Sequence, residues 1–428
     1  MDDVSKSPSP GLVRFAGFYC VVLMTLYNIA AVGLIAVPVA FILKNRLHLD
    51  ATSNATFSFF TDSPYFFGFA FGFLRDRWRP GGQGDRGYFA VVPILLALTY
   101  VALAYGPQTY GGLMTGMIAI SACSALLGAA AQGLLAGIGK EFGMTGRLAA
   151  VTLVTTRGSQ IYSTTVGGWL GDHTAFQIPF LASAAVCLTV LVLAFWHPKT
   201  IFRSGDELLV KVVPEGSMEA IRRLIRHKAI YLPAVVLFLW EFAPGWGTPL
   251  FYYLTNQVHL SESAYGATKG WQQLGTVTAA LSYGWLCKHI RFRTLLYIGT
   301  FVGVLGGPIF LLIHSPAQAN IISLLAGGSC GLALASYFDL LVRSCPDELE
   351  GVAFMLTYAT FTFASDGSDI FGGWLYDRGG FGLALAISTA FTALIFLPVS
   401  LVPKKISDPE EGEPITDSDP PVAEFVTS

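Results

Sequence analysis

Phe71–Pro80 reads FGFLRDRWRP and sets Arg75, Asp76, Arg77 and Arg79 within five residues of an otherwise apolar neighbourhood. The phrase returns as GGWLGDHTAF at 167–176, YGWLCKHIRF at 283–292 and GGWLYDRGGF at 372–381. Gly72, Leu74 and Asp76 align with Gly168, Leu170 and Asp172, and with Gly373, Leu375 and Asp377. The third copy keeps Gly284 and Leu286 but carries Lys288. Each copy closes a long apolar run, so the phrase punctuates the chain.

The runs are of membrane-spanning length. The chain has 428 residues, 53% of them hydrophobic and 13% charged, with a mean hydropathy of +0.57. Soluble domains carry about 25% charged residues, so this composition leaves too little polar surface to cover a soluble particle. A net charge of −2 argues against nucleic acid as a partner. Since about 20 apolar residues span a bilayer as a helix, the sequence predicts an all-α polytopic membrane protein of twelve transmembrane helices, near 15–43, 55–75, 88–106, 110–139, 147–171, 174–197, 230–257, 263–287, 293–313, 316–343, 350–376 and 378–402.

The polar stretch 198–229 divides the spans six and six. Expected domains are an N-terminus at 1–14, a six-helix bundle at 15–197, a linker at 198–229 with a surface helix around SMEAIRRLIRHK, a second bundle at 230–402, and a disordered acidic tail at 403–428. Of 26 Lys and Arg, 21 fall on the side that even-numbered helix ends share, against three on the other. Cations mark the cytoplasmic side, so the expected location is the cell membrane with both termini cytoplasmic. Asn54-Ala55-Thr56 then reads as an external glycosylation sequon.

Copies of one phrase at the ends of spans 2, 5, 8 and 11 mean a three-helix unit used four times. Three is odd, so successive units are inverted. Two six-helix halves, each of inverted three-helix repeats, form a transporter architecture with its site at the repeat interface near mid-membrane. Gly133/Gly137 and Gly327/Gly331 supply small residues at four-residue spacing for close helix contact.

This organisation resembles the major facilitator superfamily over nearly the whole chain. That family's signature after helix 2, G-x-x-x-D-R-x-G-R, is similar to Gly72-x-x-x-Asp76-Arg77-x-Arg79. The resemblance implies a gating role for Gly72, Asp76 and Arg77, with the aspartate locking one state against the positive N-terminus of helix 11 near Glu350–Gly351. It also implies that helices 2 and 11 adjoin, as do 5 and 8. A narrower resemblance, to the folate–biopterin transporter family, rests on FLWEFAPGWGTPLFYYLTNQVHLSESAYG at 238–266 and on DSPYFFGFAFGFLRD at 62–76.

Ionisable side chains inside spans default to function. For the substrate, the candidates are Arg157, Lys269 and Glu241, with Trp240, Tyr252 and Trp271 as stacking partners. Asp62, Asp366 and Asp369 are candidates for proton coupling, sodium being the competing ion. Glu241, near Pro244 and Gly245, either lines a cavity at a broken helix or caps the break. Asp339 and Arg343 read as an i,i+4 ion pair. No ATP site is evident, because GLLAGIGKE lacks phosphate-loop spacing and has Glu141 where Ser or Thr should bind Mg²⁺. The expected protein is thus a monomeric secondary transporter, without cofactor or metal, moving a small organic anion, pterin- or folate-like solutes included. The competing readings are an exporter of amphipathic drugs or metabolites, and a transporter-like sensor.

The cation bias makes a test. Gln83 and the 198–229 linker are expected inside the cell, and Ser261 and Ala317 outside. A Gln83→Cys variant should resist an impermeant thiol reagent in intact cells and react after permeabilisation. Labelling of intact cells would overturn the topology.

Overall fold

The computed structural model describes residues 10–78, 80, 84–142, 144–196, 198, 230–345 and 350–403. The predicted surface helix around 217–228, the tail beyond 403 and Gln83 lie outside these residues. All regular structure among the described residues is helical. The elements are α1 (Pro10–Val32), α2 (Ala36–Phe41), α3 (Ala51–Phe66), α4 (Gly68–Arg77), α5 (Asp85–Tyr105), α6 (Tyr110–Glu141), α7 (Thr145–His173), α8 (Gln177–Thr189) and α9 (Leu191–Phe195). They continue with α10 (Tyr231–Glu241), α11 (Thr248–Asn256), α12 (Glu262–Leu286), α13 (Phe292–Gly306), α14 (Pro316–Ser344), α15 (Glu350–Leu394) and α16 (Phe396–Ser400). α15 is broken at Gly380, whose φ of 70° no helix tolerates.

Seven helical stretches among the described residues are long and apolar enough to cross a membrane. α3, α7 and α12 fall outside that set: α3 is 16 residues long, and all three carry Thr and Ser together with the candidate residues Asp62, Arg157 and Lys269.

The described residues divide into two compact units: those within Met1–Val39 and Thr61–Pro214, and those within Ala40–Phe60 and Glu215–Ser428. In the first unit α1 packs on α6 and α7, and α5 packs on α6 and α8. The charged phrase is anchored here. Arg75 at the end of α4 makes a two-pronged ion pair with Asp85 at the start of α5, Nε to Oδ1 and Nη2 to Oδ2, both at 2.7 Å. The side chains are only 14% and 8% exposed. The guanidinium occupies the space beside Gly133 of α6 where a Cβ would stand. Gly133 therefore makes room for a side chain rather than for the helix backbone expected from its spacing.

In the second unit α12 and α14 cross closely. Gly327 and Gly331 lie directly against the Gln272 and Thr276 carbonyls, and the Thr276 hydroxyl donates to Gly327 O at 3.1 Å. The small-residue spacing does bring two backbones together here, where dispersion and hydrogen bonding replace the hydrophobic drive. The expected Asp339–Arg343 pair is present, Nε to Oδ1 at 2.9 Å, and Tyr283 donates to the other carboxylate oxygen at 2.7 Å. The repeated phrases also share a physical detail. Trp169 stacks on His173, Trp285 meets His289 in a tilted contact at 4.5 Å, and the Arg378 guanidinium lies 4.0 Å from the Trp374 ring centroid. Each is an exposed indole covered by the residue one helical turn on.

The sequon asparagine, Asn54, is not presented at the surface of this fold. It is buried in α3, and its Nδ2 donates to the Tyr252 hydroxyl at 3.4 Å.

A buried pair is strongly coupled, since removing one partner leaves an uncompensated charge. Asp85→Ala should therefore destabilise the protein by about 3–5 kcal/mol, read as a lower unfolding midpoint in detergent. The double variant Arg75→Met with Asp85→Leu should recover most of that loss. A double variant no better than Asp85→Ala would show that the pair is not the cause.

Candidate functional site

The predicted span 230–257 is not one helix. α10 stops at Glu241 and α11 starts at Thr248. Pro244 has no N–H for a helical bond. Gly245 takes φ 150°, a region reserved for glycine. The break strands backbone groups that the rest of the unit must satisfy, and α15 satisfies them at two points. Thr248 N–H donates to Asp369 Oδ1 at 2.7 Å and its hydroxyl to Asp369 Oδ2 at 2.5 Å. One residue earlier, the Ser368 hydroxyl donates to Glu241 O at 3.1 Å. Gly247 lies so close to the Asp369 carboxylate that a Cβ there would collide with it.

The sequence offered Glu241 as the cap of this break. Asp369 caps the start of α11, and Glu241 supplies a main-chain carbonyl to Ser368. Lys269 lies on α12 of the same unit. Its Nζ lies 5.8 Å from the ring centroid of Tyr265. The second unit thus sets a carboxylate at the positive end of a short helix. Asp366 sits about one turn before Asp369 on α15.

The first unit holds a counterpart break. Span 15–43 is interrupted between α1 and α2 at Gly33 (φ 61°). Leu34 N–H donates to Ser183 Oγ at 2.8 Å, and that hydroxyl donates to Pro179 O at 2.8 Å. Asn28, buried on α1, donates to Thr155 Oγ1 at 3.3 Å and accepts from the Thr156 hydroxyl at 3.2 Å. Arg157 follows directly on α7, its Nη1 donating to Gln160 Oε1 at 3.1 Å. Gly- or Pro-interrupted segments at corresponding places in two halves are the strongest pointer to a transport site.

The remaining candidates divide. Asp62 is half-buried on α3, and Gly72 and Arg77 lie on α4. The Asp76 side chain lies outside the described residues. Trp240 is 8% exposed, part of an apolar cluster with Phe292 and Leu296, and edge-on to Tyr337; it packs the core instead of offering a stacking face. Trp271 is exposed on α12. Tyr252 is buried, its hydroxyl donating to Leu49 O at 2.5 Å. Asn28, Thr155, Thr248 and Ser368 were not singled out from the sequence. The one signal for them was a polar side chain inside an apolar run, strongest at Asn28.

A sequence profile of the Major Facilitator Superfamily matches residues 21–365, and the chain belongs to that superfamily. It is a multi-pass membrane transporter of a small-molecule substrate, not an enzyme. The folate-biopterin transporter of Synechocystis sp. (strain ATCC 27184 / PCC 6803 / Kazusa) is 22% identical over 362 residues, covering 80% of this chain and 71% of the relative. A crystal structure of a D-xylose-proton symporter superposes with a TM-score of 0.69 at 13% identity, over 91% of this chain and 98% of the other. The nucleoside transporter NupG gives 0.65 at 12% identity, over 90% and 97%. At such identities these structures share the fold.

The cap predicts a coupled response. Asp369→Ala orphans two donors at once and should cost about 1–3 kcal/mol of stability. Thr248→Val, which keeps the N–H bond, should cost about 1 kcal/mol. Lys269→Met should change stability less in an Asp369→Asn background than alone, as expected for opposite charges that interact in a low dielectric. Additive effects in that double-mutant cycle, measured by thermal unfolding in detergent, would deny the coupling.

Proposed function

We propose that this chain is a secondary active transporter that moves a small organic anion across the cell membrane by alternating access, in symport with protons. Twelve helices in two inverted-repeat halves, with both termini cytoplasmic, are the architecture this reading assumes. The observation that carries it is the Asp369 carboxylate at the α10–α11 break. Lys269 is the anchor for a substrate carboxylate or similar anion, and Asp369 is its counter-charge when no substrate is bound. An arriving anion competes with Asp369 for Lys269. The displaced aspartate, in a low-dielectric setting, is then the group that takes up a proton, with Asp366 and Asp62 as further carboxylates in the spans. In the first unit, Arg157, beside the Asn28–Thr155–Thr156 group, is a further cation suited to an anionic group. An arginine fork suits a carboxylate bidentately where lysine supplies a point charge.

The folate-biopterin relative supports a planar, anionic, pterin- or folate-like solute, and Tyr265 beside Lys269 supplies an aromatic neighbour for one. The D-xylose-proton symporter shares the fold and is consistent with proton coupling.

Proteoliposome uptake with folate and biopterin as first probes tests the reading. Uptake should rise under an inward proton gradient and be indifferent to sodium. Lys269→Ala and Arg157→Ala should each weaken binding, with Arg157→Lys restoring only part of it. Asp369→Asn should keep substrate exchange between the two sides but lose accumulation against a gradient. Uptake that follows sodium, or neither ion, would remove the proton role from Asp369. Normal substrate binding by Lys269→Ala would remove the anion anchor.

A further inference from the structure

Asp377 closes the fourth copy of the opening phrase, and none of the roles above uses it. Its carboxylate accepts three hydrogen bonds from the first turn of α3: from Ala51 N–H at 3.2 Å, Thr52 N–H at 2.9 Å and the Thr52 hydroxyl at 2.5 Å. One turn earlier, Gly373 lies against the Ala51–Thr52 peptide. A Cβ at that position would stand 2.8 Å from the Ala51 carbonyl carbon and 2.9 Å from the Thr52 nitrogen. The glycine lets α15 reach the start of α3, and the aspartate answers its positive end.

All of these residues belong to the second unit, as does the whole segment 40–60. The segment is tied to that unit twice more. Lys44 Nζ donates to Thr255 Oγ1 at 2.6 Å and lies 5.5 Å from the Tyr252 ring centroid. Tyr252 in turn donates to Leu49 O at 2.5 Å and accepts from Asn54.

Two features mark the Asp377 contact as one that can be made and broken. The first is redundancy. α3 has its own N-terminal cap, since Asp50 Oδ1 accepts from Ser53 N–H at 2.8 Å. The helix therefore survives without Asp377, and what Asp377 adds is attachment. The second is exposure. Asp377 is exposed, Thr52 half-buried and Ala51 buried against Gly373, so on separation the carboxylate and the Thr52 groups return to water and no buried charge is orphaned. The Arg75–Asp85 pair, closed to solvent, has no such route.

We infer that Gly373 and Asp377 form a releasable clasp on the first turn of α3. It is closed in the conformation described here, and its opening frees segment 40–60 from the second unit during the transport cycle. The purpose of the clasp rests on the alternating-access reading; its existence is tested without any substrate.

Hydrogen–deuterium exchange on the full chain in lipid nanodiscs reads it directly. Ala51 and Thr52 are in the first turn, where N–H groups have no intrahelical acceptor, so their protection reports Asp377. In Asp377→Ala that protection should vanish. Amides of the 42–49 stretch, such as Leu47 and Leu49, should exchange several-fold to roughly tenfold faster as the segment detaches, the scale set by a charge at a helix end. The later turns of α3, from Thr56 onward, should be unchanged. Asp377→Glu should restore part of the protection, and Thr52→Val, which keeps both N–H bonds, should give an intermediate effect. Acceleration confined to residues 51 and 52, or none at all, would reduce Asp377 to a local cap and overturn the clasp. If no probe is transported by the wild-type protein while these exchange changes occur, the transport reading fails and the clasp stands.

Discussion

The carboxylate of Asp369 holds together a place where the chain abandons its own helical hydrogen bonds. In a bilayer every backbone polar group needs a partner within the protein, because lipid offers none. Breaking the helix at Phe242–Gly247 therefore creates a demand that neighbouring helices must meet, and α15 meets it with Ser368 and Asp369. The same demand arises between α1 and α2 and is met by Ser183. The α10–α11 break, in turn, is what sets a short helix terminus against the Asp369 carboxylate. Packing and chemistry at the site thus follow from one constraint.

Burial sorts the charges into two kinds. Arg75 and Asp85 are shut away from solvent and paired at 2.7 Å through two bonds, an arrangement that is costly to open and suits permanent construction. Asp377 carries the same formal charge and makes three hydrogen bonds, yet its exposure makes the contact reversible. Copies of one short phrase have therefore come to serve opposite mechanical purposes, by the surroundings each copy meets.

Three helices that hold candidate residues fall outside the seven apolar stretches, while Asp369 of α15 lies inside one. The three are α3, α7 and α12, and they hold Asp62, Arg157 and Lys269. A helix that lines a polar interior has to give up part of its apolar circumference. Low hydropathy inside a predicted span is then a positive sign, and in this chain it coincides with hydroxyl-rich stretches such as Thr152–Gln160 and Thr268–Thr278.

By itself the sequence determined the all-helical, membrane-borne class, the superfamily, and the ionisable residues within the spans. Each of these is written in local composition or in short-range spacing, which survives without knowing any contact. The i,i+4 pair of Asp339 and Arg343 and the glycine seam at Gly327 and Gly331 were legible for the same reason. The tertiary structure alone decided partners. Pro244 and Gly245 announced a break, but that Asp369, 121 residues from Thr248, would cap it depends on which helix packs there. Likewise Gly133 and Gly327 look alike in sequence, and only packing made one a socket for Arg75 and the other a backbone contact. Trp240 looked like a stacking platform until its neighbours enclosed it. Asp377 was visible as the echo of Asp76, while its acceptance of three bonds from α3 spans some 325 residues. A carboxylate's identity is local, but the donors it answers are chosen by the fold.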